Sequence, residues 1–256
     1  WQPEVRPHHW ILHDRLVLIL NQKLFGKKVL FILRKWLMNW KPWFVLSFVS
    51  YFCAVINASD PFVIRSLNTT QPVVALTFDD GPGRYTDDIL DILKVHQSKA
   101  SFFLIASKLR RYQAYVKRIE KEDHTIGNHS YNHHHITVQS HTELLKNIAK
   151  SQLIFNDVLG RLPIYFRPPY GEVSLEQENL LKKHFSYLVR WTIDPKDWDK
   201  KQDSSSIVNH ILMALKPGVI IVLHERKQTV KLLPELIVAI QQKGYQLVSL
   251  DSLLSF

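Results

Sequence analysis

Two adjacent carboxylates, Asp79 and Asp80, stand in the segment TFDDGP directly after the apolar run 73–76. Adjacent acids repel each other, and side chains alternate across a strand, so one face of a strand should not hold both. We therefore expect the two side chains to point in different directions at the end of a buried strand. A lone pair of this kind is most often a turn or a helix cap, and partners for both acids would make it a site.

Two histidines form a second group, because His129 and His133 lie four residues apart in HSYNH. On a helical turn their imidazoles would face one way, as a shared metal ion requires. Three further polar segments follow apolar runs: RPPYG at 167–171, DPKDW at 194–198 and LHE at 223–225. The two prolines of RPPYG predict an extended, rigid backbone. Each group by itself is weak evidence of catalysis.

The elements that must position these groups alternate between strands and helices from residue 70 onward. This alternation predicts parallel strands joined by crossovers, and about seven such units favour a barrel over an open sheet. Chemistry in such barrels collects at the carboxyl ends of the strands, where the five polar groups fall. The predicted strands are 72–78, 100–105, 124–128, 164–167, 186–191, 219–223 and 246–250. The predicted helices are 86–96, 110–121, 141–158, 174–184, 204–215 and 230–243.

Taken in order, the five groups resemble the motifs of the polysaccharide deacetylases, the NodB-homology domain of carbohydrate esterase family 4. The matching segments are TFDDGP, HSYNH, RPPYG, DPKDW and the VLH of IIVLHE, and the similarity covers roughly residues 70–251. The resemblance is highly specific, because motifs of several residues agree in both spacing and order. It implies an α/β fold, a distorted (β/α) barrel of about seven parallel strands. It also implies one divalent metal ion, Zn²⁺ with Co²⁺ as the alternative.

The resemblance assigns the metal ion and the catalytic base to the first two groups. Asp80, His129 and His133 would be the ligands, and three ligands leave positions open for water and substrate. Asp79 would be the base that deprotonates the metal-bound water. Arg167 would pair with Asp79 and keep that carboxylate ionised and correctly aimed.

The remaining groups would supply the acid and contacts to the substrate. The resemblance implies that His224 protonates the departing amine and that Asp197 holds the His224 imidazole in its protonated form. The backbone N–H of Tyr170 would stabilise the oxyanion together with the metal. Trp198 and Leu223 would line the small pocket for the acetyl methyl group.

Other histidines and one loop lie beside these motifs. His134 and His135 extend the run HSYNHHH but are off the one-turn spacing, and His124 begins the third predicted strand at the end opposite the site, so we interpret all three as non-ligands. The segment 225–229 lacks the glycine-rich insertion that many relatives have after the residue matching His224. We therefore expect a short loop at that rim.

The segment 1–58 is predicted to be targeting or membrane-anchoring sequence, and 59–256 to be the catalytic domain. Within the segment 1–58, the run 43–56, WFVLSFVSYFCAVI, carries no charge and follows Arg34, Lys35 and Lys41. Fourteen residues are short for a spanning helix, which needs about 20. The run suits a signal-peptide core, with a retained anchor and a buried core helix as alternatives. We expect an exported protein, either free or anchored by residues 43–56.

The positive charge is concentrated in the same segment. Of 33 basic and 23 acidic residues, 1–58 contain eight and two, which leaves 25 and 21 for the rest of the chain. This distribution, with no recognised binding motif, argues against nucleic acid as a partner. The single cysteine, Cys53, excludes an intrachain disulfide.

These inferences predict a metal-dependent hydrolase that removes N-acetyl groups from N-acetylglucosamine residues of a glycan, either peptidoglycan or a chitin-like polymer. The expected partners are this acetylated glycan and, through the N-terminal segment, a membrane. Two alternatives stay open. One is a hydrolase of the same fold that acts on O-acetyl esters or small amides. The other is an inactive glycan-binding protein at the membrane, against which the intact catalytic set argues.

Overall fold

The structure, a computed structural model, describes residues 62–256. The predicted targeting or anchoring segment 1–58, with its apolar run 43–56 and Cys53, lies outside the described residues. Those predictions therefore stay predictions. Within residues 62–256, no helix is both long enough and apolar enough to cross a membrane.

All described strands belong to one parallel sheet. In chain order they are β1 (Val63–Ile64), β2 (Val73–Gly81), β3 (Ser101–Leu104), β4 (Thr125–Asn128), β5 (Tyr165–Phe166), β6 (Tyr187–Val189), β7 (Ile220–His224) and β8 (Gln246–Val248). Their order across the sheet is β1-β6-β5-β4-β3-β2-β7, with β8 paired to the start of β2. Bridges between Ser66 and Val219 and between Ile193 and Ile221 connect the two ends of this order. The sheet thus curls into a distorted barrel, and the predicted fold class is confirmed.

The seven predicted strands are all present, and β1 is an addition. It contains two residues and pairs with β6. A strand of this length is too short to show an alternating pattern in the sequence.

Six of the seven described helices agree with the predicted order, and the last, Leu250–Leu253, is an addition. The seven are α1 (Thr86–Val95), α2 (Gln113–Lys121), α3 (His141–Leu159), α4 (Leu175–Leu181), α5 (Ser204–Ala214), α6 (Lys227–Gln242) and α7 (Leu250–Leu253). Local signals set their ends: Ser140 and Glu143 form a capping box at the start of α3, and Gly160 with φ 72° ends it. Short 3₁₀ turns lie at Ala106–Lys108 and Pro169–Gly171.

The two faces of β2 explain how the Asp79 side chain comes to lie inside the barrel. Even-numbered residues from Val74 to Phe78 pack into the cluster that contains α1 and α6. Odd-numbered Val73 and Ala75 belong to a second cluster formed largely by strand residues. Strict alternation continues this interior row to Thr77 and Asp79. Burial on both faces is expected for a strand of a parallel barrel.

Candidate active site

A buried ion pair lies inside the barrel at the end of β2. Arg167 Nη1 donates hydrogen bonds to Asp79 Oδ1 at 2.6 Å and to Thr77 Oγ1 at 2.8 Å. Arg167 is fully buried, and its guanidinium carbon lies 3.9 Å from the centre of the Phe103 ring. The predicted pairing of Asp79 with Arg167 is therefore present in the structure. A buried pair with these hydrogen bonds keeps the Asp79 carboxylate oriented.

Asp80 departs from the alternation that the sequence predicted. Its φ is 72°, and the pairing of β2 with β3 has an irregularity between Asp79 and Gly81. A bulge with a left-handed residue re-aims one side chain relative to its neighbours. As a result His129 Nε2 lies 3.8 Å from Asp79 Oδ2 and 3.8 Å from Asp80 Oδ1. The expectation that the two acids point apart is wrong, because both face one imidazole.

The predicted metal ligands form a compact group, which we call the metal group. One ligand atom from each of Asp80, His129 and His133 lies within 4.8 Å of the others. His133 Nε2 is 3.1 Å from Asp80 Oδ1. His129 Nδ1 lies 2.8 Å from the carbonyl oxygen of Arg167, so the tautomer with Nδ1–H donating to that carbonyl leaves Nε2 free to bind a metal.

The two histidines converge through a loop rather than a helical turn, so that part of the prediction is wrong. Residues 129–133 are not helical, and Ser130 and His133 have φ of 68° and 62°. The Ser130 hydroxyl accepts a hydrogen bond from the His133 N–H at 2.9 Å, which stabilises the loop. The ring centres of His129 and His133 lie 4.9 Å apart.

The donor set fits a divalent cation. Asp80 Oδ1 is buried and receives no hydrogen bond from the residues 62–256. Burial alone would raise the pKa of Asp80, but the close approach of His133 and the charges of His129 and His224 lower it well below its usual value. Burial also lowers the pKa of His129, which favours the neutral imidazole that binds metals. One carboxylate and two imidazoles form a three-ligand set of the kind seen in catalytic zinc sites.

His224 and Asp197 form a second hydrogen-bonded pair beside the metal group. The two atoms His224 Nδ1 and Asp197 Oδ1 are 2.7 Å apart, and the His224 N–H donates to Asp197 Oδ2 at 2.8 Å. Burial would lower the pKa of His224, but the bond to Asp197 and that residue's charge raise it above its usual value. His224 is also the register partner of Asp79, on β7 and β2, so the pair lies next to the buried carboxylate.

The three predicted substrate contacts have different environments. Tyr170 is 52% exposed at the 3₁₀ turn, and its ring centre lies 4.8 Å from that of His133. Trp198 is 45% exposed and lines a cleft next to Asp80. Leu223 is fully buried in the core that faces the helices. Its contact with an acetyl group remains a prediction.

The remaining histidines lie around this group. His134 and His135 are exposed, and the His135 ring stacks on Tyr170 with 3.6 Å between ring centres. His124 lies at the other end of β4, where its Nδ1 accepts a hydrogen bond from Ala100 at 3.1 Å. Burial lowers the pKa of His124 to about 4.

Two threonines support the site and were missed in the sequence. Thr77 accepts the hydrogen bond from Arg167 described above, and Thr229 Oγ1 donates to Asp197 Oδ2 at 2.6 Å. Thr77 could have been found, because alternation puts it on the same face of β2 as Asp79. Thr229 had no signal, since its contact with Asp197 spans 32 residues.

Two charged residues near Asp80 were also missed as parts of the site. Lys108 Nζ donates to the Asp80 carbonyl oxygen at 2.7 Å. The Glu225 carboxyl accepts a hydrogen bond from Thr86 and occupies the space that a Cβ on Gly81 would fill. Burial raises the pKa of Glu225 to about 7. The short loop predicted after His224 is confirmed, because α6 begins at Lys227.

Comparisons with known proteins agree on one family. A family model described as polysaccharide deacetylase matches residues 66–186. Two Bacillus cereus peptidoglycan-N-acetylglucosamine deacetylases are 37% identical over 186 residues and 33% identical over 202. The first alignment covers 70% of this chain and 67% of the relative, the second 76% and 94%. A crystal structure of the Bc1960 peptidoglycan N-acetylglucosamine deacetylase superposes with a TM-score of 0.71 at 34% identity, covering 75% of this chain and 92% of that one.

Proposed function

Because the chain belongs to the polysaccharide deacetylase family, we propose that it is a metal-dependent hydrolase that removes N-acetyl groups from N-acetylglucosamine residues of peptidoglycan. One observation carries the proposal. The buried Asp79–Arg167 pair, the cluster of Asp80 with His129 and His133, and the hydrogen-bonded pair of His224 and Asp197 lie together at the carboxyl ends of the strands. Amide hydrolysis needs an activated water, a site for the oxyanion and an acid for the amine, and these groups match all three needs.

Asp80, His129 and His133 would hold the cation, which we propose to be Zn²⁺ with Co²⁺ as a substitute. When bound, a divalent cation lowers the pKa of a coordinated water and polarises the acetyl carbonyl. The protein's part is the orientation of these ligands. The Arg167 carbonyl holds the His129 ring through Nδ1, and the Ser130 hydroxyl holds the backbone of His133.

Asp79 accepts a proton from the attacking water as the water oxygen bonds to the acetyl carbon. Arg167 holds this carboxylate at 2.6 Å, so the base is fixed before substrate arrives. The Tyr170 backbone N–H stabilises the oxygen that becomes negative, and Trp198 with Leu223 receives the acetyl methyl group.

His224 then donates its proton to the amide nitrogen as the carbon–nitrogen bond breaks, which releases acetate and the free amine. Asp197 favours the protonated imidazole, so the acid is charged before the reaction begins. Asp197 is itself held by the Thr229 hydroxyl and the His224 N–H. The proton therefore comes from an acid in a defined orientation.

The proposal extends to domain organisation and location. Residues 59–256 would form the catalytic domain, and residues 1–58 would export the protein or anchor it through 43–56. Its substrate is then outside the cytoplasm, and no nucleic acid is a partner. The family relationship supports this, because the curated relatives act on peptidoglycan.

The proposal is tested by incubating the full chain and Zn²⁺ with four kinds of substrate and measuring the products, acetate above all. The substrates are glycan strands of peptidoglycan, N-acetylglucosamine oligomers, acetylxylan and small cyclic amides. We expect acetate from the first two, loss of activity with a chelator and recovery with Zn²⁺ or Co²⁺. If acetylxylan alone released acetate, the substrate would be an O-acetyl ester instead of N-acetylglucosamine. If the cyclic amides alone were hydrolysed, the substrate would be a small amide. No product from any substrate in the presence of metal would contradict the proposal.

A further inference from the structure

A cleft of about 780 Å³ opens next to Asp80, and six of the residues that line it are basic. The same cleft contains Asp197 and Trp198, so it is continuous with the proposed active site. We refer to its six basic side chains as the basic wall. They are Arg84, Lys108, Arg111, Lys200, Arg226 and Lys227.

Most of this charge is unpaired. Within residues 62–256, the four residues Arg84, Arg111, Lys200 and Lys227 form no ion pair, and all four are exposed. The other two, Lys108 and Arg226, approach Asp80 at its carbonyl oxygen and at Oδ2. Surface cations without acidic neighbours leave a positive potential in a cleft, which attracts anionic ligands.

The acidic residues of the cleft do not neutralise the positive charge of the basic wall. Its carboxylates are Asp80, Asp197 and Glu225. Asp80 belongs to the metal group, and Asp197 is hydrogen-bonded to His224. Glu225 is buried against Thr86, with a pKa raised to about 7 by burial. A bound cation would add further positive charge at Asp80.

Two arginines of the wall each lie over the ring of the tyrosine that follows them in the chain. The guanidinium carbon of Arg84 lies 5.3 Å from the ring centre of Tyr85, and that of Arg111 lies 5.4 Å from the ring centre of Tyr112. A ring of this kind orients a guanidinium without neutralising it, so the fork stays available to a carboxylate. Trp198 adds an apolar surface for the face of a sugar ring.

A second cleft, of about 540 Å³, lies on the His133 side of the metal group and has a different character. We call its lining the histidine wall. It contains histidines, amide side chains and Tyr170, with Glu143 as its acid and no Lys or Arg among its described residues. The two clefts beside the predicted metal ligands therefore differ in charge, and only the first offers Lys and Arg side chains among its described residues.

We propose that the basic wall binds a carboxylate of the glycan. This carboxylate lies next to the N-acetylated sugar whose amide bond is hydrolysed. This proposal rests on the proposed function and narrows its substrate to anionic glycan strands, in preference to neutral chitin-like polymers. Two sources supply this chemistry in peptidoglycan: the lactyl carboxylate of a neighbouring muramic acid residue that carries no peptide, and, where a peptide is joined to that group by an amide bond, the carboxylates of the peptide. Arg84 and Arg111 offer the bidentate geometry, and Lys200 and Lys227 add point charges.

The test uses the full chain with Zn²⁺ and three substrates. These are chitin hexamer, peptide-free glycan strands with free lactyl groups, and strands that carry peptides. The wall variant combines Arg84→Gln, Arg111→Gln, Lys200→Gln and Lys227→Gln. The matched control combines Lys94→Gln, Lys121→Gln, Lys183→Gln and Lys243→Gln, which removes the same charge from exposed positions outside both clefts.

We expect the ratio of kcat/KM on anionic strands to kcat/KM on chitin hexamer to fall by roughly tenfold in the wall variant and by less than about twofold in the control. The loss should arise mainly in KM, and added salt should reproduce it in the native protein. A loss on peptide-free strands identifies the lactyl group, and a loss restricted to peptide-bearing strands identifies the peptide.

An unchanged ratio in the wall variant, with acetate still released from all substrates, overturns this inference and leaves the proposed function intact. An equal fall in the control also overturns it, because net charge would then explain the effect. Failure of the native protein to release acetate from any of the substrates overturns the proposed function and this inference with it.

Discussion

The interior of the barrel and the basic wall both contain arginine, but the two environments use the guanidinium differently. Arg167 is fully buried, with a carboxylate 2.6 Å away and an aromatic ring against it. Arg84 is exposed and contacts Tyr85 without forming an ion pair within the described residues. A buried arginine without a partner would be costly, so Arg167 must be paired and is therefore fixed. An exposed arginine can stay unpaired, and its charge remains available to a ligand.

The difference suggests that the two regions have separate roles. If the proposed function holds, the interior keeps the reacting groups in one geometry, and the basic wall would select the substrates that reach them. Substitutions in the interior should therefore change kcat or stability, and substitutions in the wall should change KM for charged substrates.

Asp79→Asn should lower kcat for acetate release by about 10²–10⁴-fold, because the base is lost while the volume of the side chain is kept. The matched control is Asp88→Asn, an exposed acid on α1 outside both clefts, which should stay within about twofold of the native protein. Steady-state kinetics on one N-acetylglucosamine oligomer measure both. A similar kcat for the two variants would remove Asp79 from the chemistry.

Arg167→Met should lower the free energy of unfolding by about 3–5 kcal/mol, since it leaves the buried Asp79 carboxylate without its partner. The same substitution in the wall, Arg84→Met, should change it by less than about 0.5 kcal/mol. Urea unfolding followed by circular dichroism gives both values. If the two arginines proved equally important for stability, the contrast between interior and wall would not hold.

Asp197→Asn should shift the pH dependence of kcat/KM. In the native protein Asp197 raises the pKa of His224, so the proton needed by the leaving amine is lost only as the pH rises through that raised value. Without the carboxylate the pKa of His224 falls, and the alkaline limb of the profile should move to lower pH. An unchanged alkaline limb would mean that His224 is not the acid, whatever the fall in rate.

Much of the fold was predictable because it depends on local pattern. Buried parallel strands such as β2 read as continuous apolar runs, and α3 shows its capping box and terminal glycine in the sequence. The two-residue β1 could not be found in this way, because its position depends on pairing with β6 across the sheet. The short helix α7 was not predicted either, and the ranges of the other strands and α-helices differ from the predicted ones by a few residues at their ends.

The candidate site divides in the same manner. The residue types at the strand ends and their order along the chain were enough to indicate the family and its metal group. The geometry inferred from local rules was wrong at two points. Asp80 leaves the alternation of β2, and His129 and His133 converge through a loop. Both depend on residues with positive φ that are not glycine, and local propensity does not anticipate these.

The sequence by itself determined which groups could do chemistry and that parallel strands would bring them to one end of a barrel. Strand alternation and helix periodicity are properties of neighbours along the chain, so they can be read directly. Only the tertiary structure decided that both aspartates face His129, that Thr229 holds Asp197, and that cations from four separate segments line one cleft. Each of these depends on contacts between residues far apart in sequence, which the packing of the barrel creates and no local pattern encodes.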